Sequence, residues 1–325
     1  MEFYDSVNSC EFTKEKARAI IDEISKVVVG QYEFIEQLAV VLLSGGHALI
    51  EGVPGLAKTL AAKVMSKTVK ADFKRVQFTP DLMPADITGT KIYDTKAGSF
   101  YLKRGPLFTN IFLADEINRT PPKTQAALLE SMEEKAITID GETYKLEEPF
   151  MVIATQNPVE YEGTYPLPEA QLDRFMMKLI VDYVPQKFEN MVLEKYKCGF
   201  SSSNLENIEV NKVCDFDDIK RCRDEILNVE VNEGIINYIT SIVRATRNSP
   251  SLVLGASPRA SIALLLTSKT MAAIQGRGFV TPEDVKDLAL PVLRHRVILR
   301  PETGVEGIGN DDVIKNILSK VEVPR

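Results

Sequence analysis

Short runs of apolar residues recur along the first half of the chain, and stretches with helical spacing separate most of them. Each run has the length of a strand and is continuous rather than alternating, which is typical of parallel strands buried on both faces. The runs are His47–Glu51, Ile111–Asp115, Phe150–Thr155 and Met177–Val181, with Phe73–Phe78 as a fifth candidate. The pattern therefore predicts an α/β core with a parallel five-stranded sheet.

Two further segments have the pattern of β-hairpins. One lies in the long connection Pro80–Phe108, where Lys91–Asp94 would pair with Ser99–Leu102 around a Lys-Ala-Gly turn. The other covers Ile137–Tyr144 and has Asp-Gly at its turn. Long insertions are often functional, so both hairpins are candidate functional surfaces.

Helical patterns dominate both ends of the chain. Thr13–Val29 and Tyr32–Ser44 show helical spacing before the first strand, and only helical patterns follow the last strand. We therefore expect an α/β core over residues 1–184, with an inserted hairpin at about residues 89–103. An all-α domain should follow over residues 185–325.

Composition limits the class of protein. The 325 residues suffice for about two domains, and 44% hydrophobic and 26% charged residues are ordinary for a soluble globular protein. Four cysteines without C-x-x-C spacing and only two histidines predict free thiols in a reducing, cytoplasmic environment and no zinc site. No apolar run approaches the roughly 18 residues of a membrane span. The net charge of −7 makes nucleic acid an unlikely partner without excluding a local basic channel.

The segment after the first apolar run has the pattern of a phosphate-binding loop. A strand, a glycine turn and a helix that begins at Lys58 would point backbone N–H groups and a helix N-terminus at phosphate oxygens. Lys58 would reach the β- and γ-phosphates, and the Thr59 hydroxyl would bind Mg²⁺. The predicted nucleotide-binding residues here are Gly52, Val53, Pro54, Gly55, Leu56, Ala57, Lys58, Thr59 and Leu60.

One position of this loop departs from the usual GxxxxGK[ST] pattern. Ala57 stands where the last glycine is expected, and a positive φ angle would penalise the alanine Cβ. We therefore expect Ala57 to have a near-helical backbone. Taken alone, the loop could also be a chance glycine turn before a helix.

Polar residues follow two other predicted strands. Asp115 and Glu116 end one buried run, and Asn157 follows another. Ligands of open parallel sheets bind outside the carboxyl ends of the strands, so these side chains would converge on one phosphate if the strands are neighbours. Asp115 would hold Mg²⁺ together with Thr59, and Glu116 would orient or deprotonate the attacking water. Asn157 would sense the γ-phosphate. Singly, each residue could be only a helix cap, a loop acid or a turn residue.

Two arginines could complete such a site. Arg174 lies just before the last predicted strand, and Arg259 lies in the first turn of a helix, where the helix dipole disfavours a cation. A planar guanidinium suits the charge that is spread over a transferring phosphoryl group. Alternatively, Arg174 could form an ordinary surface ion pair and Arg259 could be solvated.

Six segments together resemble the MoxR family of AAA+ ATPases, and the resemblance runs through nearly the whole chain. They are Val29–Gln31 (VGQ), Gly52–Thr59 (GVPGLAKT), Ile111–Arg119 (IFLADEINR), Ala154–Pro158 (ATQNP), Tyr165–Phe175 (YPLPEAQLDRF) and Gly255–Ala260 (GASPRA). The resemblance implies an AAA+ P-loop core with a helix-2 insert hairpin, an all-α lid domain, and ATP and Mg²⁺ as cofactors. Within this family Ala57 is no departure.

The resemblance also implies a role for each candidate residue. The implied assignments are Lys58 and Thr59 to Walker A, Asp115 and Glu116 to Walker B, Asn157 to sensor 1, Arg174 to the arginine finger and Arg259 to sensor 2, with Val29 and Gly30 near the adenine. The arginine finger of such proteins reaches into the neighbouring subunit, which implies a homo-oligomeric ring, usually a hexamer. Arg259 would contact the γ-phosphate in its own subunit, and hydrolysis would change the angle between core and lid.

By this resemblance the chain is expected to be an ATP-hydrolysing, chaperone-like remodeller of protein clients, often partnered by proteins with von Willebrand factor A domains. Two other classes stay open: a non-hydrolysing nucleotide switch or scaffold, and a DNA-associated AAA+ motor. The presence of Glu116, Asn157 and Arg174 argues against the switch. The sequence shows no helix-turn-helix appendage that would favour the motor.

Overall fold

The computed structural model describes residues 9–157, 163–201 and 210–324. Its strands are β1 (Ala48–Glu51), β2 (Phe73–Gln77), β3 (Gly89–Asp94), β4 (Ser99–Arg104), β5 (Ile111–Asp115), β6 (Ala136–Ile139), β7 (Glu142–Lys145), β8 (Met151–Gln156), β9 (Met177–Ile180), β10 (Leu252–Leu254) and β11 (Ile298–Leu299). Its α-helices are α1 (Glu11–Ser25), α2 (Tyr32–Leu43), α3 (Lys58–Thr68), α4 (Pro84–Thr88), α5 (Pro122–Glu134), α6 (Glu169–Leu172), α7 (Gln186–Lys197), α8 (Phe216–Leu227), α9 (Glu233–Arg247), α10 (Pro258–Ile274), α11 (Pro282–Leu293), α12 (Pro301–Val305) and α13 (Asn310–Lys320).

The central sheet contains five strands, all parallel, in the order β2-β5-β8-β1-β9. Leu49 of β1 pairs with Ala154 of β8 on one side and with Lys178 of β9 on the other. The five predicted strands and the parallel α/β core are thereby confirmed. Because the strands are parallel, all of them end at one edge of the sheet, called here the carboxyl edge, and begin at the opposite amino edge.

The two faces of the sheet pack into separate hydrophobic clusters, which explains why the apolar runs do not alternate. Ala48 and Ile50 belong to a cluster that includes side chains of α1, α2 and α3, whereas Leu49 belongs to a cluster that includes α5. All three side chains are fully buried. Burial of a leucine or isoleucine side chain contributes roughly 1.5–3 kcal/mol, so the sheet is a firm support for the loops at its edges.

Both predicted hairpins are present. β3 pairs with β4 and β6 pairs with β7, each pair antiparallel. Lys91 of β3 and Glu142 of β7 form an ion pair of 2.6 Å, so the two hairpins touch each other. Tyr93 and Phe100 are exposed on the first hairpin, and their ring centroids lie 5.1 Å apart.

Helices α8, α9, α10 and α11 pack together as a helical lid, and the N-terminal helices join that lid to the sheet. Thr13 of α1 donates to Glu225 Oε2 of α8 from its backbone nitrogen (3.0 Å) and from its hydroxyl (2.8 Å). Ser44 and Thr270 of α10 share a hydrogen bond of 2.8 Å. One hydrophobic cluster is continuous from the sheet through α1 and α2 into α8, α9, α10 and α11.

The lid also contains a small antiparallel sheet of β10 and β11, which the sequence pattern did not predict. Strands of two or three residues are too short to show a period-two pattern. Within the described ranges, none of the helices combines the length and the apolar composition needed to cross a membrane.

A buried histidine joins the start of the sheet to α5. His47 Nδ1 accepts a hydrogen bond from Val152 N (2.9 Å), so Nε2 carries the ring proton and donates to Met132 O (3.1 Å). The ring is therefore bound as neutral imidazole, and burial lowers the pKa of His47 to about 4. His295 is also buried, with Nε2 3.0 Å from Phe175 O, and burial likewise lowers its pKa.

The folded state should therefore lose stability on mild acidification. Because the pKa of His47 lies below its unfolded value of about 6.5, its contribution is complete above that pH and is lost as the pH falls towards about 4. The full loss from this residue should be roughly 3 kcal/mol. Urea unfolding at about pH 7 and about pH 5 measures roughly 2 kcal/mol of that loss, and NMR titration of the two imidazoles identifies its source. A His47 ring that titrates at about pH 6.5 would contradict this interpretation.

Candidate functional site

A cavity of about 780 Å³ opens at the carboxyl edge of the sheet. The phosphate loop, the ends of β5 and β8, and helix α7 contribute to its wall. The predicted site residues on this wall are Val29, Pro54, Gly55, Leu56, Ala57, Lys58, Thr59, Leu60, Asp115, Glu116 and Asn157. The parallel strands thus bring these residues together, and the volume lies in the usual range of small-molecule pockets, about 300–1,000 Å³.

Lys58 is the first residue of α3, and its side chain folds over the loop. Its Nζ donates to Gly52 O at 2.5 Å. Partial burial lowers the pKa of the Lys58 ammonium, whereas the nearby carboxylates of Asp115 and Glu116 oppose that shift. A partly desolvated cation at the start of a helix is well suited to bind an anionic phosphate group.

Ala57 has the backbone geometry that the sequence argued against. Its φ and ψ angles are 60° and 17°, in the left-handed region, so the expectation of a near-helical backbone was wrong. The chain has to turn between β1 and α3, and Ala57 makes that turn while its carbonyl accepts from Ala61 N at 2.8 Å. A left-handed conformation costs an L-residue roughly 1–2 kcal/mol, and surrounding structure has to offset that strain.

Gly52 and Val53 are not among the described residues that line the cavity. A Cβ on Gly52 would lie 2.5 Å from Val181 O, in the segment that follows β9. The loop therefore leaves β1 in direct backbone contact with its neighbour. This close approach explains why a glycine opens the loop.

Asp115 ends β5, and both of its carboxylate oxygens have partners. Oδ1 accepts from Thr155 Oγ1 at 2.6 Å, and Oδ2 accepts from Arg75 Nη2 at 2.7 Å. Arg75 belongs to β2, the strand next to β5, and also lines the cavity. Sequence reasoning missed Arg75, because an arginine on an edge strand belongs to no recognisable motif.

Glu116 follows β5 with a left-handed backbone, at a φ angle of 57°. Its Oε2 accepts from Gln77 Nε2 (2.6 Å) and from Arg119 Nη1 (3.0 Å). Its backbone nitrogen donates to Thr155 Oγ1 (2.9 Å). Strained backbone conformations are concentrated at functional sites. Gln77 was also missed, although its position at the end of β2 was an available signal.

Asn157 lies directly after β8, where its side chain is buried and lines the cavity. Its amide can both donate and accept hydrogen bonds, which suits a contact with phosphate or water. Pro158, which completes the segment ATQNP, lies outside the described residues.

The remaining part of the cavity wall is mainly apolar and comes from the segment before α2 and from the segment around α7. Its apolar side chains are Val27, Val28, Val29, Val184, Val192, Tyr196 and Phe200. The rings of Tyr196 and Phe200 lie 5.2 Å apart. Planar apolar surface of this kind suits a heterocyclic base.

Helix α7 is thus part of the site, which sequence reasoning did not predict. The four-residue spacing of Val192 and Tyr196, one helical turn apart, was the available signal. Gly30, predicted near the base, does not line the cavity among the described residues. With a φ angle of 80° it packs against Phe188 of α7, where a Cβ would approach the ring to 2.7 Å.

Arg174 precedes β9 and therefore lies at the amino edge, opposite the phosphate loop that follows β1. Its Nη1 donates to Leu129 O of α5 at 2.8 Å, and its Nη2 forms an ion pair with Glu133 Oε2 at 2.8 Å. Arg174 is not among the described residues that line the cavity. The length of a strand separates it from the phosphate loop of its own chain.

Arg259 lies beside Arg174 and not near its own phosphate loop. Its Nη2 contacts Oε1 of the same Glu133 at 2.5 Å. Helix α10 begins at this edge because Ser257 Oγ donates to Asp173 Oδ2 at 2.8 Å. Arg259 thus lies away from its own phosphate loop, since the lid docks the start of α10 at the amino edge. Its expected contact with the γ-phosphate of its own subunit stays a prediction.

Two family models match the chain, and several relatives and solved structures are similar to it. The ATPase family associated with various cellular activities (AAA) matches residues 47–177, and the AAA lid domain matches residues 244–317. The chain is 46% identical to the uncharacterized protein YeaC of Bacillus subtilis, over 94% of this chain and 93% of that protein. It is 40% identical to chaperone MoxR1 of Mycobacterium tuberculosis, over 95% and 82%. A crystal structure of a protein from Cytophaga hutchinsonii, provisionally described as an ATPase, is 44% identical, has a TM-score of 0.87 and covers 97% of both chains.

Replacement of Gly52 with alanine should distort the phosphate loop. The added Cβ would lie 2.5 Å from Val181 O, and the backbone has to shift because no flexible side chain can move away. We expect a loss of about 1–3 kcal/mol in the free energy of unfolding, measured by urea denaturation. Gly304→Ala is the matched control, since a Cβ there meets nothing within 4 Å. Equal stability of the Gly52→Ala variant and the wild type would show that the loop tolerates a side chain at this point.

Proposed function

The chain belongs to the MoxR family of AAA+ ATPases, and on this basis we propose that it hydrolyses ATP with Mg²⁺ within a ring of identical subunits. One observation carries the proposal: Lys58, Thr59, Asp115, Glu116 and Asn157 all line a single cavity at the carboxyl edge of the sheet. The match to an ATPase family model supports it.

The residues of the cavity wall fit a nucleotide and its metal ion. Lys58 and the start of α3 would hold the β- and γ-phosphates, and the apolar wall would take the adenine. Thr59 and Asp115 offer hydroxyl and carboxylate oxygens, which are the ligands that Mg²⁺ prefers. When bound, Mg²⁺ would neutralise negative charge on the phosphates during transfer.

Glu116 is the residue that we assign to water activation. Gln77 and Arg119 hold its carboxylate at the end of β5, where it would orient or deprotonate a water in line with the γ-phosphorus. Asn157 would contact the same water or the γ-phosphate. Its strand β8 is the direct neighbour of β5, so both side chains can serve one reacting group.

The two arginines would act on the nucleotide of a neighbouring subunit. They lie at the amino edge, and the four residues of β1, at about 3.3 Å each, stand between that edge and their own phosphate loop. A second copy whose carboxyl edge faced Arg174 and Arg259 would receive both guanidinium groups at its phosphates. Repetition of this head-to-tail contact gives a ring when the rotation between successive copies closes. We take that ring to be a hexamer, as is usual in the family.

We further propose that the ring remodels protein clients in the manner of a chaperone. The relative from Mycobacterium tuberculosis is named a chaperone. Tyr93, Phe100 and Tyr101 are exposed on the β3–β4 hairpin, and exposed aromatic side chains are suited to bind other proteins. Proteins with von Willebrand factor A domains are the first class of partner to test, and cytoplasm is the expected compartment.

Glu116→Gln should bind ATP but fail to hydrolyse it. An amide cannot accept the proton of the attacking water, so turnover should fall by about 100-fold or more, while the phosphate loop keeps its affinity. Phosphate release and nucleotide-binding fluorescence measure the two properties separately. Turnover at the wild-type rate would remove Glu116 from this role. Wild-type protein that binds ATP and releases no phosphate would instead be a nucleotide switch.

Mixtures of inactive variants should show which residues act across the subunit interface. Lys58→Ala disables the phosphate loop, whereas Arg174→Ala and Arg259→Ala each remove one arginine. A mixture of Lys58→Ala with either arginine variant should regain some ATPase activity. The reason is that a hybrid interface then joins an intact phosphate loop to both arginines of the next subunit.

Two other mixtures serve as controls. Arg174→Ala with Arg259→Ala should stay inactive, because neither subunit offers both arginines to its neighbour. Lys58→Ala with Glu116→Gln should also stay inactive, because both residues belong to the same site. Recovery in the mixture of the two arginine variants would show that Arg259 acts on the nucleotide of its own subunit. Failure of every mixture would contradict the action of Arg174 across the interface.

A further inference from the structure

The two arginines of the amino edge share one carboxylate, which has no part in the hydrolysis described above. Glu133 lies in the last turn of α5. Its Oε1 contacts Arg259 Nη2 at 2.5 Å, and its Oε2 contacts Arg174 Nη2 at 2.8 Å. Two guanidinium groups from different parts of the fold thus bind one anion, each through one oxygen, as they could bind two oxygens of a phosphoryl group.

The surroundings of Glu133 add further negative charge. Glu130 and Glu134 line the same hollow of about 300 Å³ as Arg174, and within the described ranges neither forms an ion pair. The C-terminal end of α5 also carries negative potential from the helix dipole. A phosphate that approaches the arginines therefore meets like charge, and it has to compete with Glu133 for both guanidinium groups.

All three side chains of the cluster are accessible from outside the chain. The exposed fractions are 37% for Glu133, 30% for Arg174 and 50% for Arg259. A second copy can thus reach the arginines without any unfolding. Arg174 also donates Nη1 to Leu129 O, so its side chain can stay oriented while Nη2 exchanges one anion for another.

We propose that Glu133 takes the place of the neighbour's γ-phosphate in the separate subunit. Its carboxylate holds Arg174 and Arg259 there and releases them when a neighbour presents ATP. This inference rests on the proposed action of both arginines across the interface. Glu133 is then an autoinhibitory contact. The free energy needed to release the arginines from Glu133 opposes assembly until a competing phosphate is available. Each partly exposed ion pair shifts an equilibrium by only a few fold, so loss of both should change assembly by about three- to tenfold.

Glu133→Gln in the full chain tests the proposal, with Glu134→Gln as the matched control. Both changes remove one negative charge from an exposed residue of α5, and only the first touches the arginines. Sedimentation in the presence of ATP and Mg²⁺ gives the protein concentration at half-assembly, on a Glu116→Gln background that preserves the nucleotide. Turnover per subunit at full assembly is measured with Glu116 restored.

We expect Glu133→Gln to assemble at about three- to tenfold lower protein concentration. Glu134→Gln removes nearby charge but no ion pair with the arginines, so it should shift this concentration by less than about twofold. Turnover at full assembly should stay within about twofold of wild type, because the neighbour's phosphate has already displaced Glu133 there. The difference between Glu133→Gln and the parent should shrink in high salt, since salt weakens exposed ion pairs. A residue that only supported the fold would show no such salt-dependent gain.

Three outcomes would overturn the proposal. Equal half-assembly concentrations for Glu133→Gln and the parent would show that release of the arginines from Glu133 does not oppose assembly. An equal shift in Glu134→Gln would reduce the effect to overall charge. Lower turnover without a shift in assembly would make Glu133 a positioning residue for the arginines instead. A parent protein without any ATP-dependent association would contradict the proposed function itself, and the inference that rests on it.

Discussion

The common direction of the five strands decides where each functional group can lie. Everything that directly follows a strand collects at the carboxyl edge, which is why the phosphate loop, Asp115 and Asn157 share one cavity. Arg174 precedes a strand and so lies at the other edge. A reaction that needs both sets of residues cannot be completed within one chain. Under the proposed function, it is the topology of the sheet that makes a second copy necessary.

The carboxyl edge is also where the backbone leaves its ordinary conformations. Ala57 and Glu116 are both left-handed, and the sequence argued against this geometry at Ala57 because it weighed only the local penalty on an alanine Cβ. The packing of the strand and the helix that this turn connects offsets about 1–2 kcal/mol of local strain. The acidic side chains are positioned in turn by donors from neighbouring strands, Gln77 on β2 and Thr155 on β8. These partners are distant in sequence and close only in the folded sheet.

The lid contacts the nucleotide cavity and the arginine pair at the same time. Helix α7 contributes Tyr196 to the apolar wall, while α10 begins beside Arg259 at the opposite edge. The buried Arg296 after α11 donates to Asp173 at 2.7 Å, one residue before Arg174. A change in the angle between lid and sheet would therefore move the wall of the cavity and, at the opposite edge, the arginine that we propose to serve the next subunit. The same rigid connection would let neighbouring subunits respond to each other's nucleotide.

By itself the sequence determined the strands, their parallel direction, the phosphate loop and the acids that follow the strands, because these depend on local patterns and on order along the chain. It predicted the chemistry of Arg174 and Arg259 from residue type alone. Only the tertiary structure decided that the two arginines share Glu133 and that the first turn of α10 faces away from its own phosphate loop. That placement depends on contacts such as the one between Ser257 and Asp173, which are 84 residues apart. No local pattern records such a contact, because it arises only when the lid packs against the sheet.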